Sequence, residues 1–332
     1  GVPSQYTSPR GGAIDVMQGS VTLTDVQLSQ IDLDDSGRSS IGGSRGGAIN
    51  LRAGTSLSLT RTAFTCKSSA GSQLAYADLD AAFGGAIAGY GATISISSSV
   101  IHACRASEGG AVYVEEPPAS VGSLTPGTLT VVNTTLLDNI AVCVHEPGGI
   151  IPGVCSGGGH GGCVYASGTA VSISSSSLEG CQAFEGHGGA IHALQSSTIT
   201  VVSSNVTGGR ATTRTGVYAG YFSEDLGRGA VASLRASTLQ LQVVSLTDNR
   251  AESGAHLISF LAPTQATLGS GRRLQTASAG TSSFSASELA IAHTCASTSP
   301  NEASLVAEGS RAAATLPNYR VIGMRGLQAR IG

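Results

Sequence analysis

The chain of 332 residues has no tryptophan, its aromatics amount to 4% and only 12% of its residues are charged. With so few large rings, its interior must be a regular stack of many small apolar side chains. A net charge of -3 provides no basic field of the kind that binds nucleic acid. No apolar run reaches the roughly 18 residues that a membrane-crossing helix needs. The periodicity of about 3.6 residues that marks an amphipathic helix is also missing. Neither CxxC nor a Cys/His pattern of zinc-finger spacing occurs, and no metal ligand set or cofactor motif is found. The chain begins at Gly1 rather than methionine, which points to processing or to a piece of a longer polypeptide.

What is present is repetition. GGAI stands at 11–14, 46–49, 84–87 and 188–191, and varies as GGAV at 109–112, GGCV at 161–164 and RGAV at 228–231. Downstream of each comes an apolar residue, a second two positions later and a third seven positions after the first. The triplets are Val21/Leu23/Leu28, Leu57/Leu59/Phe64, Ile94/Ile96/Ile101, Leu129/Val131/Leu136, Val171/Ile173/Leu178, Ile199/Val201/Val206 and Leu239/Leu241/Leu246. The i, i+2 spacing puts two side chains on one face of a short strand, and the third starts another inward stretch after a bend. The steps from 84 to 109 and from 161 to 188 are 25 and 27 residues. A strand–helix–strand unit needs roughly 30 or more, so each unit holds only strands and turns.

Such units bury their apolar faces by stacking, which predicts an all-β parallel β-helix of about eight coils. Ile14, Ile49, Ile87, Val112, Val164, Ile191 and Val231 are expected to form one aliphatic ladder. Insertions around 36–45, 68–83, 141–160 and 211–227 are expected as loops along one edge, and another spans Glu115 to Pro126. The expected organisation is a single domain over 1–299. Within it lie regular coils at 11–257, with Ser253–Leu257 as a degenerate GGA strand, then a polar loop at 262–281 and a weak last coil at 282–299 carrying Phe284/Ala286/Ile291. Residues 300–332 would be a cap or linker.

The pairing of GGA[ILV] with Leu136-Leu137-Asp138-Asn139 and Leu246-Thr247-Asp248-Asn249 resembles the GGA[ILV]/FxxN repeats of polymorphic outer-membrane protein adhesins. The resemblance covers about 11–257 and implies a right-handed, pectin-lyase-like β-helix with an extracellular surface role. At the Asn position this chain has Cys104 and Cys181 in two units and Gly209 in another.

Seven cysteines favour an oxidising compartment, and the odd count leaves at least one thiol without an intrachain partner. Cys143 and Cys155 flank a Gly/Pro-rich stretch and form the preferred disulfide. Cys66 and Cys104 are a second candidate pair, Cys163 is expected to be a free interior thiol, and Cys295 is unplaced. The sequons at Asn133 and Asn205 fall in polar columns of the repeat and are candidate glycosylation sites.

The most site-like feature lies on units four to six. Tyr113, Tyr165 and His192 follow GGA[IV], while Glu108, His160 and His187 precede it. An outward stripe of these residues at strand spacing would stack on sugar rings, with the Glu and His side chains supplying hydrogen bonds or metal ligands. Gly159-His160-Gly161 and Gly186-His187-Gly188 are similar to the Gly-His-Gly of polygalacturonases, which carry paired aspartates. Here Asp34-Asp35 lies about five coils away, roughly 20 Å along the axis, too far for an acid/base pair. No paired acid and base being found, the expectation is a non-catalytic, extracellular structural or adhesive solenoid of a cell-surface coat, fibre or appendage. Its partners would be other copies of itself, cell-surface proteins or glycans. The alternative is a carbohydrate-binding or polysaccharide-degrading β-helix using the Tyr/His stripe.

Overall fold

The inward triplets organise three sheets. The computed structural model describes residues 12–31, 45–66, 81–117, 126–145, 155–212, 227–252, 256–260, 282–292, 304–307, 312–315 and 319–322. Among them there is no helix, and the strands fall into sheets of 9, 16 and 7 strands, nearly all paired in parallel. Each coil contributes one strand to the GGA sheet, two successive strands to the long sheet and one to the third sheet, and then returns to the next GGA. The result is a parallel β-helix.

The GGA sheet runs in the order Ile14–Val16, Ile49–Leu51, Ile87–Tyr90, Val112–Glu115, Val164–Ser167, Ile191–Leu194, Ala232–Leu234, His256–Phe260 and Ser304–Ala307. This is nine rungs, the last lying past residue 300, where Ala312–Thr315 and Tyr319–Ile322 also pair with Ser282–Ala292. The triplets align as the repeat demands. Leu57, Ile94, Leu129, Val171, Ile199 and Leu239 face one another rung by rung, as do Phe64, Ile101, Leu136, Leu178, Val206 and Leu246. All twelve are at most 2% exposed. Each such aliphatic side chain contributes roughly 1.5–3 kcal/mol by leaving water.

One rung departs from the expected ladder. Ile191 pairs with Ala232, not Val231, and the Ile191 N–H donates to the Val231 carbonyl. Gly229-Ala230 therefore occupies the two-glycine place and Val231 takes the alanine position, so the RGAV spelling is shifted by one residue. The two glycines have different tasks. The first adopts positive φ, as at Gly84 (φ 64), and the second lets coils touch: a Cβ on Gly85 would lie 2.2 Å from the Gly110 carbonyl oxygen.

Two polar ladders hold the corners. At the bend within the long sheet, Asp25, Arg61, Ser98, Asn133, Ser175 and Ser203 all take left-handed φ between 48° and 58°. Except after Asp25, where Val26 follows, the next residue is a buried hydroxyl. The backbone N–H groups of Thr62, Ser99, Thr134 and Ser176 donate to the hydroxyls of Ser99, Thr134, Ser176 and Ser204, one coil on. At the following corner, Asn139 Oδ1 accepts the Cys104 N–H while its Nδ2 donates to the Ile101 carbonyl, and Asn249 does the same for Gly209 and Val206. Each Asn thus satisfies backbone groups of the coil before it.

Cys66 and Cys104 are joined across neighbouring coils, with Cα atoms 4.8 Å apart. Cys163 is not a free thiol: it is bonded to Cys181, Cα–Cα 5.3 Å, across the interior of one coil. The GGA corner and the FxxN corner, 18 residues apart in sequence, meet inside the coil. The side chains of Cys143 and Cys155 lie outside the described residues, although their strands pair antiparallel with His145 opposite Cys155. Cys295, the polar segment 262–281, Ser253–Ala255 and most of the inserted segments also lie outside them.

Candidate functional site

Strand alternation turns every second residue of the GGA sheet away from the core. Between inward Ile49 and Leu51 stands Asn50, and the same column continues through Ala88, Tyr113, Tyr165, His192, Ser233 and Ser259. A second outward column precedes the first glycine. It reads Arg45, Phe83, Glu108, His160, His187 and Arg228, each passing its carbonyl to the glycine N–H of the previous coil from Phe83 onward. The structure therefore brings together all six residues that the repeat singles out.

It does not leave them open. Tyr113, Tyr165 and His192 are 3%, 7% and 2% exposed, so the expected open stripe is instead a buried stack. The rings close on one another because coils are one strand spacing apart, about 4.8 Å. Tyr113 and Tyr165 stack at 4.8 Å between centroids with an 11° interplanar angle, and Phe83 and Tyr90 pack on Tyr113 at 5.0 and 5.7 Å. His160 stacks on His187 at 5.2 Å and on His192 at 4.7 Å, and Tyr165 meets His192 at 5.5 Å. The Arg45 guanidinium caps this assembly, 4.0 Å above the Tyr90 ring.

Burial sets the protonation of the cluster. It raises the Glu108 carboxyl to about 7, helped by the neighbouring charge of Glu115. His160 is pushed down to about 3 by burial and by His187, and His187 down to about 4 by burial and by Arg228. His192 falls well below its ordinary value, again through burial first, then His160, His187 and Arg235. The three imidazoles are consequently neutral at physiological pH. His160 Nδ1 accepts the His187 N–H at 3.1 Å, so its proton sits on Nε2. Tyr113 donates to Glu115 Oε2 at 2.7 Å, and burial drives the Tyr90 hydroxyl up to about 12 and those of Tyr113 and Tyr165 upward as well. Among the described residues no group of three His, Cys, Asp or Glu is arranged to hold a metal ion.

The repeat also carried members that sequence reasoning passed over. Arg45, Phe83, Arg228, Ser233 and Ser259 occupy the same two columns on other coils, Tyr90 and Glu115 lie two residues further along their strands, and Arg235 stands just past the end of Ala232–Leu234. Their signal was position relative to GGA, read one or two coils further in each direction. The sequon residues Asn133 and Asn205 are exposed on the long sheet, on a different face, in one shallow groove of about 270 Å³ that Thr135, Ser175, Ser177 and Ser203 also line.

No family model matches the chain, and no curated protein matches it. A solved structure, the crystal structure of the periplasmic alginate epimerase AlgG, is similar at 11% identity and a TM-score of 0.33, over 92% of this chain and 74% of that one. A likeness at that level says nothing of what this chain acts on.

Proposed function

We propose that the protein is an extracellular β-helix that binds polysaccharide along the outward face of its GGA sheet. The carrying observation is the concentration on that face, over successive rungs, of stacked Tyr and His rings with neutral imidazoles and a carboxyl poised near 7. Titratable groups displaced this far by their surroundings mark functional sites more often than ordinary surface does. Sugars are the ligands that such a mixture suits, because apolar ring edges and groups able to donate or accept are alternated at short range. Two internal disulfides and two exposed sequons support an extracellular setting.

The burial of the rings limits the mode of binding. Tyr113 already has three aromatic neighbours, so sugar engages the polar ends of the row rather than lying flat on a ring face. The same closure favours a second reading, a structural or adhesive solenoid in which the stack is an outer mini-core that stiffens the coils. A polysaccharide array separates the two. The binding reading expects retention of at least one polysaccharide by the wild type, loss of it when Tyr113 and Tyr165 are both replaced by alanine, and no release of reducing ends. Retention unchanged in a folded double variant would remove the site, and no retention by the wild type would leave the structural reading.

A further inference from the structure

The long sheet presents an outward face of its own. Ser20–Thr24, Ser56–Thr60, Thr93–Ser97, Thr128–Val132, Ala170–Ser174, Thr198–Val202 and the first half of Thr238–Thr247 pair in parallel and in unbroken register. Their second and fourth residues pack into the core, so strand alternation turns the first, third and fifth outward. The middle column reads Thr22, Ser58, Ser95, Thr130, Ser172 and Thr200, and ends at Gln240. The columns on either side are Ser or Thr except at Ala170, Val132, Val202 and Gln242. All three columns are half-buried or exposed, and they hold no charged and no aromatic side chain. A face that meets only liquid water ordinarily mixes charges of both signs, so one this long without any is a departure.

The geometry of the face narrows the partner. Neighbouring strands set one repeat of the hydroxyl grid at about 4.8 Å, and two residues along a strand set the other at roughly 6.6 Å. Both intervals lie close to the repeats of the oxygen lattice on a prism face of ice. Seven rungs carry the grid roughly 29 Å along the axis, and three columns carry it roughly 13 Å across. Its side chains are held in place: threonine is stiff at χ1, Ser56 Oγ donates to Ser20 Oγ at 2.6 Å, and the Thr60 and Ser97 hydroxyls lie 3.2 Å apart. Little freedom is therefore lost when water orders against it. Charge complementarity points the same way. Each hydroxyl donates and accepts, as every water of the lattice does, whereas ions find no place in ice. A sugar chain would call for ring faces to stack on, and these columns have none. We propose that this hydroxyl face of the long sheet binds ice, seating its first layer of water between the columns. It belongs to a different sheet from the GGA face, so neither reading depends on the other.

A single ice crystal held in a solution of the full chain tests the face. Wild type is expected to shape the crystal into facets and to open a gap between its melting and freezing points. Ser95→Lys/Thr130→Lys, which puts two charges at the centre of the grid, should keep its Tm and lose both effects. Val100→Lys, on the same sheet but past the bend, should keep both, since Val100 is exposed outside the three columns. Ser95→Thr/Ser172→Thr should widen the gap, because it stiffens the middle column. Wild type that leaves ice unshaped refutes the proposal. Retention of such a protein on microcrystalline cellulose would give the face to a crystalline polysaccharide instead, and a dimer that the lysine variant splits would give it to a second copy. Ice shaped equally well by a folded Ser95→Lys/Thr130→Lys, or a gap that the threonine variant does not widen, would also overturn the assignment.

Discussion

At the scale of single residues, the cluster makes stability depend on pH from two directions. Glu108 has a folded value of about 7 against an ordinary 4.5, so the folded state holds a proton that the unfolded chain has already lost between those values. Its contribution is complete below about 4.5 and is lost as pH rises through 7, a span of at most about 3 kcal/mol. The histidines act oppositely. His160 and His187, lowered from 6.5 to about 3 and about 4, and His192 with them, are protonated in the unfolded chain first, so stability falls as pH drops below 6.5. Three imidazoles outweigh one carboxyl in the shared window, so stability climbs with pH through that window and levels off above about 7. Denaturant midpoints measured from pH 4 to 9 should show that climb and plateau. Glu108→Gln should make the rise between about 4.5 and 7 steeper, and an unchanged profile would contradict the assignment.

The residue scale also shows what a sequence hides. The columns before and after GGA were legible, because strand alternation assigns them outward whatever their side chains. Their closure into a buried stack was not, since ring–ring contacts such as His160 on His192 join residues from different columns and coils. The cross-link of Cys163 to Cys181 was hidden for the same reason, as it spans the interior rather than following a column.

At the scale of the element, the GGA turn is where coils approach most closely, and its two glycines are not equivalent to others in the chain. A Cβ at Gly85 meets the Gly110 carbonyl oxygen at 2.2 Å and the Arg105 nitrogen at 2.7 Å, both backbone atoms that cannot move without parting the coils. Gly54 also has positive φ, +77°, yet a Cβ there meets nothing within 4 Å. Gly54→Ala should therefore cost about 1–2 kcal/mol, the strain of a left-handed residue alone. Gly85→Ala should exceed about 4 kcal/mol or prevent folding. Equal midpoints for the two in chemical denaturation would contradict the role assigned to the turn. The triplet register was readable because inward positions must repeat to stack, and it misled only where Arg228-Gly229-Ala230-Val231 imitates the motif one residue out of phase. The hydroxyl ladder from Thr62 to Ser204 escaped notice because serine and threonine abound outside it as well.

At the scale of the whole molecule, the coils form a column whose stability is a sum of neighbouring contacts, with the disulfides as clamps. Cys66–Cys104 closes a loop of 38 residues and Cys163–Cys181 one of 18. On chain entropy alone these contribute about 4 and about 3 kcal/mol. Reduction under mild denaturant should lower the unfolding midpoint accordingly, and Cys66→Ser/Cys104→Ser should weaken the second and third coils before the rest, as amide exchange would show. An unchanged midpoint after confirmed reduction would deny the cross-links that role.

The central claim is that one outward face of this column, the GGA sheet, meets polysaccharide. It is tested most directly by imidazole nitrogen resonances of the histidine-labelled protein during titration with xylan and polygalacturonate. His102, half-buried on the long sheet, serves as the internal control. The expected result is movement of the His187 and His192 signals as sugar is added, with His102 unmoved. Movement of His102 alone, or of no histidine at saturating sugar, would contradict the account.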